Sequence, residues 1–170
     1  SNTDKSGTDG GVTVVEPEKP VTENEVTITK NIAGLPDGVT LDEVATFDFT
    51  IIKQVFENDE WVNAAGDPTT VSVTVPAGAL SASSNALTLS VTGEKERYVV
   101  AETTPAADIT AGGKTYEWKN VSISNDGQFT LGKEAVSVTV TNTYKEKELT
   151  PETGSIKVVK EISGLSGEWK

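Results

Sequence analysis

The 170-residue chain contains no cysteine and no histidine. These absences exclude a disulfide, a thiolate nucleophile, a Cys/His zinc site and a Ser-His-Asp triad, and with them most hydrolytic mechanisms. No cofactor and no metal are expected. Methionine is also absent. The opening Ser-Asn-Thr reads as added residues, and a secretion signal is expected upstream of it. No apolar run approaches the roughly 18 residues that cross a bilayer, so membrane insertion of this segment is not expected. Basic residues are few: 14 Lys and Arg stand against 26 Asp and Glu, for a net charge of −12. Such a balance argues against nucleic acid, whose phosphates need a basic surface. It suits a soluble, extended, solvent-facing protein; a large secreted β protein without disulfides would need some other way to resist unfolding.

What is abundant is valine and threonine in alternating runs, while leucine is sparse and long helix-period segments are missing. That is a β composition. Strands are predicted at 25–32 (EVTITKNI), 45–54, 70–75, 85–91, 97–103, 115–123, 128–131 and 135–144. Between them lie turn signals: Pro36-Asp37-Gly38, Gly66-Asp67-Pro68, Gly112-Gly113 and Asn125-Asp126-Gly127. LDEV (41–44) is expected to form one helical turn. Strands spaced in this way indicate an all-β sandwich or barrel, and the length favours a sandwich of about seven to nine strands.

Residues 1–24, rich in Gly, Pro, Thr and charge, read as a tail or linker, with GVTVVEP as a short strand within it. The sandwich is assigned to 25–146 and a charged, proline-containing linker to 147–154. The chain then repeats itself. VTITKNIAGLPDG (26–38) aligns with IKVVKEISGLSGE (156–168), sharing Lys30/Lys160, Ile32/Ile162, Gly34/Gly164 and Leu35/Leu165. Residues 155–170 are thus the first strand of an incomplete second repeat, expected to be disordered or to pair with a sheet edge, and neighbouring repeats are the expected partners.

Three polar residues fall in rows that should face the core. Lys30 alternates with Val26, Ile28 and Ile32, and Asn142 with Val136, Val138, Val140 and Tyr144. Glu102 shares a face with Tyr98 and Val100, although Val99 and Ala101 leave the inward side of that strand open. Lys160 repeats the phase of Lys30 between Val158 and Ile162. One reading is a snorkelling or ion-paired lysine beside an asparagine that bonds edge backbone. Buried ion pairs, however, often fail to offset their desolvation. Burial disfavours the charged forms of both lysine and glutamate, which offers a second reading. Lys30 becomes a neutral amine that attacks the Asn142 carbonyl. Glu102, a neutral acid, polarises that carbonyl and shuttles protons so that ammonia leaves. Fixed geometry supplies effective molarities of about 10⁵–10⁸ M for such a step.

The motifs TITKN around Lys30, YVVAE ending at Glu102 and TVTNTY around Asn142 together resemble the Cna B-type domains of Gram-positive adhesins and the related streptococcal pilin isopeptide-linkage repeats. The resemblance covers Glu25–Lys145 and restarts at Ser155, with T-N-T-Y its most specific element. It implies an Ig-like sandwich in a secreted, cell-wall-attached stalk or pilin module, cross-linked by a self-formed isopeptide bond. By match, Lys30 and Asn142 are the bonded pair, Glu102 the catalytic acid, and Lys160 the counterpart of Lys30 in the second repeat. The only chemistry implied is a single turnover on the chain itself, not enzymatic catalysis, and the implied outside partners are sortase-linked pilus subunits or a host surface ligand.

Other signals are weaker. LTPETG (149–154) is similar to a sortase sorting signal but runs into another strand, and Lys19 in VVEPEKP reads as a linker lysine. FENDEW and SNDGQ lack the spacing of a calcium loop. Trp61 and Trp118 suit either core packing or sugar stacking, and Gln54 and Gln128 are the candidates for a Thr–Gln ester bond. An adhesin module that binds a glycan or host matrix protein through loops 56–69 and 103–114 is the alternative function. An accessory domain of a secreted glycosidase is a third, and lacks the paired carboxylates that a glycosidase needs.

Overall fold

A computed structural model describes residues 21–93 and 95–148. Eleven strands run in chain order: β1 (Thr22–Ala33), β2 (Ala45–Glu57), β3 (Glu60–Asn63), β4 (Thr69–Val75), β5 (Ser81–Ser83), β6 (Leu87–Val91), β7 (Glu96–Glu102), β8 (Ile109–Ala111), β9 (Lys114–Ile123), β10 (Gln128–Phe129) and β11 (Val136–Glu146). They form an Ig-like sandwich of two sheets. One has the order β5-β1-β11-β9-β8, with β6 also on β1; the other has β10-β7-β2-β3, with β4 also on β2. The strands without a predicted counterpart are short pieces: β3, β5 and β8 have four residues or fewer, and the strand predicted at 128–131 is reduced to the two residues of β10.

Alternation carries the core. In β1 the inward row Val26, Ile28, Lys30 and Ile32 is buried, and in β11 the row Val138, Val140, Asn142 and Tyr144. The open phase of β7 is decided by its partners. Tyr98, Val100 and Glu102 are buried, whereas Ala101 is exposed. Across the sandwich, β2 contributes Phe47, Phe49 and Ile51.

The first and last long strands lie side by side and parallel, with Lys30 in register with Val140 and Ile32 with Asn142. This pairing depends on a close approach at Gly34 (φ +96°), where a Cβ would run into the Tyr144 carbonyl oxygen. Only glycine fits there, which accounts for the glycine in the GL motif after β1.

Several local expectations are corrected. LDEV is not helical: Leu41 is buried and forms an isolated bridge with Ala111, while the Asp42 carboxylate accepts from the Gly112 and Gly113 N–H groups. Those side-chain bonds satisfy backbone donors that a helix would leave unused. The segments 56–69 and 103–114 are not open loops. Asn58 and Asp59, both at positive φ, turn β2 tightly into β3, and β8 occupies part of the second. β1 begins at Thr22, inside the predicted tail, and β11 continues to Glu146. GVTVVEP, Lys19, LTPETG, Lys160 and the second-repeat strand lie outside the described residues.

Candidate functional site

Lys30 and Asn142 come from neighbouring strands of one sheet, and Glu102 comes from the end of β7 in the other. The sandwich closes these three side chains into one polar point in an apolar interior. Lys30 and Asn142 have no exposed surface, and the Glu102 side chain has none either. Glu102 bridges the other two. Its Oε1 lies 2.5 Å from the Lys30 Nζ, and its Oε2 accepts from the Asn142 Nδ2 at 2.7 Å.

The walls of the site are aromatic. Phe47, with its ring centroid 4.5 Å from the Lys30 Nζ, and Phe49, at 5.9 Å, both project from β2, where Phe49 is in register with Glu102. Tyr144 closes the third side, its hydroxyl 3.4 Å from the Asn142 Nδ2. Burial pushes the Lys30 ammonium below the usual lysine range; the Glu102 hydrogen bond and charge oppose that only in part. Burial also pushes the Tyr144 phenol up, to about 12.

One polar atom here is left without a partner. Asn142 Oδ1 is buried and accepts no hydrogen bond from the described residues. A buried acceptor of this kind costs about 1–3 kcal/mol, and it is the carbonyl that the predicted reaction attacks. The observed Glu102–Asn142 contact runs through the amide nitrogen, not the carbonyl as the sequence reading had it. Glu102 therefore stands beside both the nitrogen that would attack and the nitrogen that would leave.

The offset between the two strands matters. Two residues along β11 from Val140 is roughly 6.6 Å, and parallel strands lie roughly 4.8 Å apart. Asn142 is thus diagonal to Lys30, a separation that suits one long and one short side chain. A residue directly beside Lys30 would be passed by its four-methylene stem.

The other candidates lie elsewhere. Gln54 and Gln128 both present their amide oxygens to Arg97, and no threonine hydroxyl contacts either amide among the described residues. Trp61 packs edge-on against Phe56 at 5.2 Å and under Arg97 at 4.3 Å. Trp118 packs against the core. No group of three metal-ligating side chains occurs among the described residues. Sequence reasoning missed Phe47, Phe49 and Tyr144 as parts of the site. Tyr144 was legible in the inward row of β11; the phenylalanines alternate in TFDFT, but nothing in that run says which residue they face across the sandwich.

Residues 26–145 match the family model described as "Domain of unknown function (DUF5979)". The chain belongs to this family. The match begins at the first core residue of β1 and ends one residue past Tyr144, so the DUF5979 domain contains the whole site. No curated protein matches. Among solved structures, the chain is similar to the pilus-presented adhesin Spy0125 (Cpa). In one crystal form the identity is 18% and the TM-score 0.35, with 74% of this chain and 28% of that chain covered. In a cysteine-to-alanine variant of the same adhesin the values are 16% and 0.37, with 85% and 30% covered. This chain thus spans less than a third of the solved chains it matches.

Proposed function

We propose that this DUF5979 domain is a stalk or pilin-type module of a secreted, cell-wall-attached surface protein of a Gram-positive bacterium, locked by an intramolecular amide between Lys30 and Asn142. The observation that carries the proposal is the buried Glu102 carboxylate bridging the Lys30 amine and the Asn142 carboxamide. A lysine pushed toward its neutral form, beside an acyl group it can reach and a carboxyl group able to move protons, is an arrangement for acyl transfer.

The steps balance without an outside reagent. Lys30 passes a proton to Glu102, and no charge is left in the site. The Nζ lone pair attacks the Asn142 Cγ and the carbonyl π pair moves onto Oδ1. Glu102 delivers its proton to Nδ2, the C–Nδ2 bond breaks, ammonia leaves and the Cγ–Nζ amide remains. Glu102 takes the second proton from Nζ and returns to the carboxylate when that proton departs with ammonia as ammonium.

The position of the link suits a stalk. The joined residues lie in the first and last long strands, through which tension on a multi-domain chain would enter and leave. An amide there carries force past more than a hundred intervening residues. No redox change undoes it, which matters in a chain without cysteine.

The alternative, binding of a glycan or host matrix protein, has less support. Depressions lined by residues of 63–68 and 107–110 hold about 240 and 220 Å³, below the roughly 300 Å³ at which ligand pockets begin. A wider one of about 590 Å³, at Gly113–Thr115 and Glu146–Glu148, has no aromatic lining.

Intact-mass measurement with peptide mapping is the test. The expected result is a mass lower by one ammonia than the sequence requires, and a branched peptide joining β1 to β11. An unreduced mass with separate β1 and β11 peptides would leave only a buried ion pair.

A further inference from the structure

We propose that Tyr144 is a second catalytic residue of this self-linking reaction: its hydroxyl and that of protonated Glu102 are the two donors that take up the charge on Asn142 Oδ1 as Lys30 attacks. The proposal rests on the amide reading above.

The geometry has two settings. In the one observed, the Asn142 Nδ2 donates to Glu102 Oε2 at 2.7 Å and to the Tyr144 hydroxyl at 3.4 Å, while Oδ1 is buried and unpaired. This setting belongs to an ionised Glu102, since a carboxylate only accepts and so draws the NH₂ group toward itself. The carboxamide oxygen and nitrogen are nearly equal in size. A half-turn about the Cβ–Cγ bond exchanges them without disturbing the surrounding packing.

Moving the proton from Lys30 to Glu102 reverses the preference. Glu102 now carries an O–H donor, which the Asn142 oxygen can accept and its nitrogen cannot. The half-turn then brings Oδ1 to where Nδ2 stands, within reach of Glu102 on one side and Tyr144 on the other. A phenol can serve both settings, because its oxygen accepts and its O–H donates. Phenylalanine could do neither.

Three further observations favour this role. The Tyr144 hydroxyl has no other hydrogen-bond partner among the described residues. Burial holds the phenol far above neutral pH, so it keeps the proton it must offer. The 3.4 Å contact is long for a ground-state bond. A contact that tightens only as charge gathers on the oxygen lowers the barrier and not merely the ground state. Tyr144 enters no bond and loses no proton, so the balance of the reaction is unchanged. Once the tetrahedral adduct has formed, rotation about Cβ–Cγ returns Nδ2 to protonated Glu102, the side on which it stands in the observed setting. There it takes the proton with which it leaves.

The test is a time course of cell-free synthesis of the full chain, followed by intact mass. The parent is expected to lose one ammonia promptly. Tyr144→Phe, which keeps the ring, is expected to link roughly 10²-fold more slowly, the scale for one oxyanion donor. Equal rates in parent and variant overturn the Tyr144 proposal and leave the amide reading intact. If Tyr144→Phe does not fold, site-specific 3-fluorotyrosine at 144 decides: a more acidic phenol at nearly unchanged volume should speed linking, and an unchanged rate overturns the proposal. A parent that never loses ammonia overturns both readings.

Discussion

Asn142 stands one inward position beyond the residue in register with Lys30: the ladder pairs Lys30 with Val140, and Asn142 with Ile32. The diagonal matches the unequal lengths of the two side chains and makes the reaction sensitive to register. The double substitution Val140→Asn with Asn142→Val keeps the composition of the strand but moves the carboxamide beside the Lys30 Cα. It is expected to fold and to retain its ammonia, as read by intact mass. Linking in this variant would mean that the diagonal does not matter.

Glu102→Gln keeps the size of the bridging residue but cannot take and return a proton. The variant is expected to stay unlinked and folded. By the chain-entropy model, a closed loop of about 100 residues is worth about 4.7 kcal/mol. At roughly 2–8 °C per kcal/mol for domains around this size, the melting temperature should fall by roughly ten degrees or more. Calorimetry of parent and variant checks this, and coincident melting would deny the link any stabilising part.

In an unlinked protein, Lys30 should leave a pH signature. Asn142→Ala keeps the Lys30–Glu102 contact and removes the acyl group. Burial lowers the Lys30 pKa in the folded state. Between that lowered value and the ordinary lysine value of about 10.4, the unfolded chain binds the extra proton. Stability should therefore rise with pH across that window and level off above it. Denaturant titrations of Asn142→Ala against Lys30→Met/Glu102→Gln/Asn142→Ala read the coupled Lys30–Glu102 pair, because every other titratable group is common to both. Parallel stability–pH curves would mean that burial does not disfavour the Lys30 charge.

Gly34→Ala tests the seam between β1 and β11 away from the chemistry. At φ +96° an alanine is strained by about 1–3 kcal/mol, and its Cβ meets the Tyr144 carbonyl oxygen. The variant is expected to lose stability and to link more slowly, because the end of β1 must move away from the strand that carries Asn142 and Tyr144. Denaturant midpoints in the Glu102→Gln background give the first effect, and the ammonia time course gives the second.

Alternation made the site legible before any coordinates. Lys30 and Asn142 break otherwise aliphatic rows of period two, and that period is a property of the extended backbone itself. The long strands followed from the same signal, though β1 begins three residues before its predicted start and β2 ends three residues after its predicted end. The short strands β3 and β8 did not, because segments of three or four residues take their conformation from the neighbour they pair with. LDEV has helix-compatible residues, but Asp42 is tied to Gly112 and Gly113, some seventy positions away.

The sequence by itself determined that Lys30 and Asn142 enter the core, since each inward row can be counted along its own strand, and offered Glu102 as a third on a strand of open phase. Tertiary structure alone decided that the three meet, which phase β7 adopts, that Phe47, Phe49 and Tyr144 wall them in, and that β1 lies parallel to β11. Those are relations between strands far apart in the chain, set by how two sheets share one interior. Periodicity within a strand carries no information about what lies across from it.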